Sequence, residues 1–486
     1  MAVSLYTSRI VLDVLGVDDY GVNNVIGGLV VLIALVNNSM SAATQRFITF
    51  ELGKKDYKRV TNTFSMSMTI HLLICILVLI LGETIGLYYV QNYLHVAPER
   101  HTAALWAYQF SLFTVIANIV RVPYNATIIA YERMNFFAVI SIIEVVFQLI
   151  NVFILSMLQF DKLILYAFLI MLVTVVCTNI YRMYCLKEFK TCNYHYIKDK
   201  VYFKELLGYT GWNFVGTIAT AGSTQVGNMM VNFFCGPAVN AAYGIANRVN
   251  GAIAGFANNF QVAYTPQITK LYAQQEMDSL FLLMNRSARL SYYLFFLLAI
   301  PLCFQIDLVL GIWLVEVPKY SGVFVILLIV YNMVDSLQAP LWKAICATGK
   351  IKVYEIWLNI ILILNIPITY FFLRNGYPPY TVVITSVSLN VVTAVIRTIH
   401  VKLQIGFPIL RYIKEVLCQT FYISAMYILP LLYLQDMIDI QTFFSFIVFY
   451  TISLLYIAVS IYLFGINKVE RNFINRFIKN KIIWAK

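Results

Sequence analysis

The chain is 486 residues long, 60% hydrophobic and only 12% charged, about half the charged share of an ordinary soluble domain, which excludes a water-soluble enzyme or binding module. Its net charge of +12 does not point to nucleic acid, because the basic residues sit in short loops between apolar runs and act as topology signals. Eight cysteines without a CxxC spacing and five scattered histidines predict neither a disulfide framework nor a metal site, and no cofactor is expected.

Apolar runs of about 20 residues, long enough to cross a bilayer as helix, recur along the whole chain. Fourteen spans are predicted, at about 1–15, 21–43, 61–90, 102–129, 135–158, 160–186, 207–234, 240–264, 284–311, 321–346, 350–373, 377–402, 413–434 and 441–466. The first is short, with eight residues before Arg9. It is expected to begin inside the bilayer or to continue from an upstream start, and no signal peptide precedes it. The loop after it holds about five residues, with Asp18 or Asp19 placed to cap the second span. The longest polar interval, about 187–205, is too short to bury a core of its own.

Lysine and arginine crowd alternate loops: Arg46, Lys54, Lys55, Lys58 and Arg59 after the second span, and Lys187 to Lys204 after the sixth. Further clusters follow the eighth, tenth, twelfth and fourteenth. Every even-numbered span therefore ends on the cytoplasmic side, and both termini are expected there. The tail 467–486 alternates Arg471, Arg476, Lys479 and Lys481 with Phe473, Phe477 and Ile478, the pattern of an amphipathic helix on an anionic inner leaflet.

The two halves repeat. Tyr20-Gly21-x-x-Asn24-x-x-x-Gly28 returns as Tyr243-Gly244-x-x-Asn247-x-x-x-Gly251, and asparagine pairs follow at Asn37-Asn38 and Asn258-Asn259. Tyr20, Asn24 and Gly28 stand at i, i+4, i+8 and share one helix face. Pro123 and Pro340 likewise correspond, each with alanine seven residues on (Ala130, Ala347) and a base ten residues on (Arg133, Lys350). The offset of about 220 residues is six spans, so the halves insert with the same orientation, as parallel repeats about an axis along the membrane normal. The chain thus divides into a six-helix lobe at 1–187, a linker at 188–206, a second lobe at 207–402, two additional spans at 403–466, and the tail 467–486.

Ionisable side chains inside spans are costly and mark function or a paired structural charge. Arg9 and Arg248 belong to the repeated element in each half, Arg121 precedes Pro123, and Lys343 follows Pro340. These four are the candidate substrate cations, with Asn24 and Asn247 able to hydrogen-bond sugar hydroxyls or merely to glue helices. Asp13, which could pair with Arg9 at i, i+4, is a candidate for ion coupling together with Glu144 and Asp335. Glu355, near Lys350, is read as a boundary charge. No catalytic residue is expected.

SLYTSRIVLDVLGVDDYGVNNVIGG and YGIANRVNGAIAGFANNFQVAYTPQI resemble the polysaccharide-transporter branch of the multidrug/oligosaccharidyl-lipid/polysaccharide (MOP) exporter superfamily, which includes O-antigen (Wzx-type) flippases. The likeness covers essentially the whole chain. It implies an all-α polytopic membrane protein of about fourteen helices, MATE/MurJ-like, with two parallel six-helix repeats, a V-shaped central cavity and two extra C-terminal helices. It also implies export of undecaprenyl-pyrophosphate-linked oligosaccharide, such as an O-antigen, capsule or exopolysaccharide repeat unit, across the bacterial inner membrane by alternating access. Membrane lipids, a polysaccharide polymerase and a chain-length regulator are the implied partners. In the related peptidoglycan-lipid flippases cavity arginines hold the pyrophosphate, and Arg9 and Arg248 stand in the corresponding helices.

Two rival readings remain at this point. A cation-coupled multidrug exporter of the same fold would need an acidic or aromatic cavity, whereas the repeated element offers arginines. A membrane glycosyltransferase or polymerase would need sizeable exterior loops for its catalytic groups, and the loop holding Asp18 and Asp19 is too short.

Overall fold

The computed structural model describes residues 2–92, 96–314, 316–437, 443–467, 470–472 and 475, and these are helical throughout, joined by short loops. In chain order the helices are α1 (Ala2–Gly53), α2 (Tyr57–Leu81), α3 (Leu87–Asn92), α4 (His101–Ala130), α5 (Met134–Met157), α6 (Lys162–Glu188), α7 (Lys200–Cys235) and α8 (Pro237–Ala273). There follow α9 (Met277–Phe304), α10 (Ile306–Trp313), α11 (Ser321–Thr348), α12 (Lys352–Arg374), α13 (Thr381–Ile405), α14 (Ile409–Tyr412), α15 (Cys418–Met437) and α16 (Phe443–Ser460). Helix α3 continues α2 through the turn Gly82–Gly86, and α15 continues α14 through Ile413–Leu417. Ten of the described spans are long and apolar enough to cross a membrane. Glycine- and threonine-rich α7 is not among them. With α1 counted as two, the long helical segments among the described residues match the fourteen predicted spans.

The first boundary differs from expectation. No five-residue loop separates spans one and two: α1 is broken only at Gly16 (φ 76°, ψ 169°), a conformation essentially reserved for glycine. Asp19 is consequently not a helix cap. It lies inside the resumed helix, and its carboxylate accepts from Arg100, whose Nε lies 3.0 Å from Oδ1. Arg100 also pairs with Asp161, which caps α6 by accepting from the Leu163 and Ile164 N–H groups. One guanidinium thus joins α1, the start of α4 and the start of α6.

The chain forms two compact units. Unit 1 comprises residues 1–218 with 269–276 and 349–355; unit 2 comprises 219–268, 277–348 and 356–486. In unit 1, Phe64, Ile48, Tyr124, Ile128 and Tyr181 form one buried cluster. Hydrogen bonds from Thr178 Oγ1 to the Ala117 carbonyl (3.2 Å) and from Cys185 Sγ to the Tyr124 carbonyl (3.5 Å) glue α6 to α4. Such polar glue suits helices in lipid, where apolar burial alone does not drive association. Segment 269–276 is held here by an ion pair of Lys270 with Glu132 and by close packing of Gly53 on the Lys270–Ala273 turn, and segment 349–355 by Gly349 against Arg46 and Glu355 against Gly216. Arg46 is buried among Phe47, Phe50 and Tyr209, with ring centroids 4.5, 4.7 and 5.8 Å away.

In unit 2, Phe295, Phe324, Val325 and Ile329 centre one cluster, and Tyr292, Phe296, Tyr427 and Phe449 a second that joins α15 and α16 to α9. Arg289 anchors that second group. It is fully buried and donates to both oxygens of Glu470 at 2.6 and 2.7 Å and to Gln419 Oε1 at 2.9 Å. All eight cysteines are free. Most of the tail proposed as an amphipathic helix lies outside the described residues.

Candidate functional site

Helix α8 carries the second copy of the repeated motif and presents two polar faces. On one, Gly244, Arg248 and Gly251 stand at i, i+4, i+7, and Arg248 and Gly251 are exposed, as are Asn258 and Asn259 further along. A Cβ placed on Gly244 or Gly251 would meet nothing within 4 Å, and the same holds for Gly21 in the first copy. These glycines are therefore not notches for a packed neighbour. Arg248 has no ion-pair or hydrogen-bond partner among the described residues.

The other face borders a cavity of about 420 Å³ inside unit 2, walled by α7, α8, α11, α12 and α13. Tyr243, Asn247 and Asn250 reach it from α8, Ser223 and Thr224 from α7, Tyr331 and Asp335 from α11, Asn365 from α12, and Ser386, Asn390 and Arg397 from α13. The polar groups are cross-braced. Asn365 Nδ2 donates to Ser386 Oγ at 3.2 Å and Ser223 Oγ at 3.4 Å. Asn390 donates to the Tyr331 carbonyl at 3.0 Å and accepts from Gln338 Nε2 at 2.6 Å. Among the described residues Asp335 and Arg397 are the only charged groups in the lining, and they face each other at 4.0 Å. Arg397 is buried, donates to the Gln338 carbonyl at 3.4 Å, and lies 6.0 Å from the Trp342 ring.

The predicted site residues fall into distinct environments. Asn247 and Asp335 share the unit 2 cavity. The Asn247 amide donates to the Tyr243 carbonyl at 2.9 Å one turn back, which leaves its oxygen for other donors. Arg248 stands on the open face of the same helix. Lys343 is half-buried on α11, two turns beyond Asp335. In unit 1, Arg121 and Glu144, chosen separately as substrate cation and coupling acid, pair with each other, and Arg121 also lies 5.5 Å from the Tyr181 ring. Asp13 is exposed. The side chains of Arg9 and Asn24 lie outside the described residues. The boundary charge Glu355 is instead buried, in unit 1 against Gly216.

Sequence reasoning missed Arg397, Asn365, Asn390 and Ser386. Arg397 sits five residues before the end of its predicted span and looks like a boundary charge. A polar stripe at Ser386, Asn390, Thr393 and Arg397, spaced i, i+4, i+7, i+11, was the available signal.

The family described as "Polysaccharide biosynthesis protein" matches residues 3–272, more than half the chain. No curated protein matches it. Among solved structures, a MATE transporter in a straight conformation superposes with a TM-score of 0.71 at 14% identity, over 84% of this chain and 93% of that one. A variant of a Vibrio cholerae MATE transporter gives 0.68 at 14%, over 82% and 92%. A MOP superfamily transporter from Pyrococcus furiosus, described as having a binding pocket of reversed polarity, gives 0.67 at 15%, over 84% and 93%. Identities this low speak for the fold alone. A multi-pass chain with the fold of MOP superfamily transporters and this family match over more than half its length belongs to the polysaccharide biosynthesis protein family.

Proposed function

We propose that the protein is a flippase that carries a polyprenyl-pyrophosphate-linked oligosaccharide, such as an O-antigen, capsule or exopolysaccharide repeat unit, across a bacterial inner membrane by alternating access, with both termini in the cytoplasm. Arg248 is the observation that carries this reading. An unpaired cation in the middle of an apolar chain costs a few kcal/mol where it meets lipid, so its open face fits a polar path and an anionic ligand. Arginine is the permanently charged, planar partner for phosphate oxygens. Arg9, in the matching helix of the first half, is the natural second contact, with Asn24 and Asn247 hydrogen-bonding beside the two arginines. Arg121 is already neutralised by Glu144 and contributes less, and Lys343 adds positive potential on α11. A polysaccharide polymerase and a chain-length regulator are the partners that would consume the exported unit.

A cation-coupled drug exporter is not favoured, because the only acid lining the unit 2 cavity among the described residues, Asp335, is offset by Arg397. Asp335 and Glu144 are each offset by an arginine, so within the flippase reading ion coupling falls to Asp13, the exposed acid in the first half.

Reconstituted protein tests the role of Arg248. Hydrogen bonds to charged groups contribute about 1.5–3 kcal/mol. Arg248→Ala should therefore slow flipping of a fluorescent polyprenyl-pyrophosphate oligosaccharide by about tenfold to a hundredfold, and Arg248→Lys should retain more of the rate. Equal rates for wild type and Arg248→Ala would remove the arginine from the mechanism.

A further inference from the structure

We propose that the cavity inside unit 2 is a subsite for an uncharged sugar ring of the cargo, distinct from the pyrophosphate contact at Arg248. This inference rests on the flippase reading and specifies which part of the substrate the second half recognises. The volume of about 420 Å³ lies within the range of small-molecule pockets, roughly 300–1,000 Å³. Apolar surface makes up most of its lining, and the uncharged polar groups set in it are amides and hydroxyls, chiefly Asn247, Asn365, Ser386 and Asn390, with Tyr331. Amides and hydroxyls both donate and accept, which is what a sugar hydroxyl, itself donor and acceptor, requires. Burying such a hydroxyl without partners would cost several kcal/mol.

Charge separates this occupant from the alternatives. Asp335 and Arg397 stand 4.0 Å apart and leave the lining formally neutral. A bare cation would find its one carboxylate already offset, and a pyrophosphate would meet that same carboxylate as a like charge. A neutral polyol pays neither penalty. The same helix that shows Arg248 on its open face shows Asn247 to the cavity, one residue and about 100° apart. The anionic and the sugar portions of one cargo can therefore be read by two adjoining faces of α8.

The test is protection from labelling. Ser386→Cys, and separately Thr224→Cys, are placed in reconstituted full-length protein and labelled with a small methanethiosulfonate reagent, with wild type subtracted. Four probes are compared: the lipid-linked oligosaccharide extracted from the producing cells, its glycan released from the lipid, the glycan-free polyprenyl pyrophosphate, and sodium chloride in place of choline chloride. The lipid-linked oligosaccharide and the free glycan should each slow labelling at both positions severalfold, while polyprenyl pyrophosphate and sodium should not. Protection by polyprenyl pyrophosphate or by sodium equal to that by the glycan overturns the subsite. So does absence of protection in vesicles whose wild-type protein flips the cargo. Flipping is followed in parallel, so loss of the flippase reading itself is registered separately, as wild type that moves no lipid-linked glycan.

Discussion

An arginine in an apolar run is the same letter whether it is structural or functional, and its partner decides between the two. Arg289 is 2% exposed and bound to Glu470, itself 11% exposed; Arg397 faces Asp335; Arg121 pairs with Glu144; Arg248 has no partner among the described residues. Arg121 and Arg248 are both candidate substrate cations in the sequence, and only the repeated element favours Arg248. Their separation needed Glu144, which lies on another helix. Removing one member of a buried pair leaves an uncompensated charge and costs about 3–5 kcal/mol. Arg289→Met should accordingly lower the melting temperature of the purified protein in detergent by many degrees. Arg289→Met combined with Glu470→Leu should recover most of that loss. If the double variant melts no higher than the single one, Arg289 acts through its packing and not through the pair.

At the scale of elements, the apolar runs marked the helices because about 20 residues must satisfy every backbone group internally to cross lipid. Boundaries set by one residue were not readable in the same way. The turn between the first two spans is made by Gly16 alone, and the five-residue loop expected there is helix on both sides of that glycine. Asp161 caps α6 by accepting from backbone N–H groups at its start, and it also bonds Arg100. Burial would raise the Asp161 pKa, but the hydrogen bond from Arg100 and those from the Ile164 and Leu163 N–H groups outweigh it and hold it below the usual aspartate value. A carboxyl whose folded pKa is depressed stabilises the fold above its unfolded pKa and loses that contribution as pH falls through the folded one. The Arg100–Asp161 pair should thus hold at neutral pH and weaken below about pH 4. Melting curves across pH 3–6 should fall on the acid side, and Asp161→Asn should make that fall shallower. An unchanged slope in the variant would place the acid sensitivity elsewhere.

For the whole molecule, hydropathy and the repeated motif were enough to reach the fold class, since a fourteen-span chain with two parallel halves has few ways to pack. The site was legible only in part. Asn247 and Asp335 were named from their positions and are brought together by the fold. Much of the rest of that cavity comes from α7, α12 and α13, whose small polar residues look like ordinary helix glue until five helices turn them toward one space. Residues 269–276 and 349–355, from the second half of the chain, belong to unit 1, the first segment through Lys270 and Glu132 and the second through Gly349 against Arg46 and Glu355 against Gly216. The proposed anionic, glycan-bearing cargo rests on the family match and on the open-faced Arg248, and one measurement addresses that proposal directly. Purified wild-type protein in proteoliposomes is given either a fluorescent polyprenyl-pyrophosphate oligosaccharide or a cationic dye under an ion gradient. The account predicts that the glycan becomes exposed to the far side while the dye is not moved. Extrusion of the dye with no movement of the glycan would contradict it.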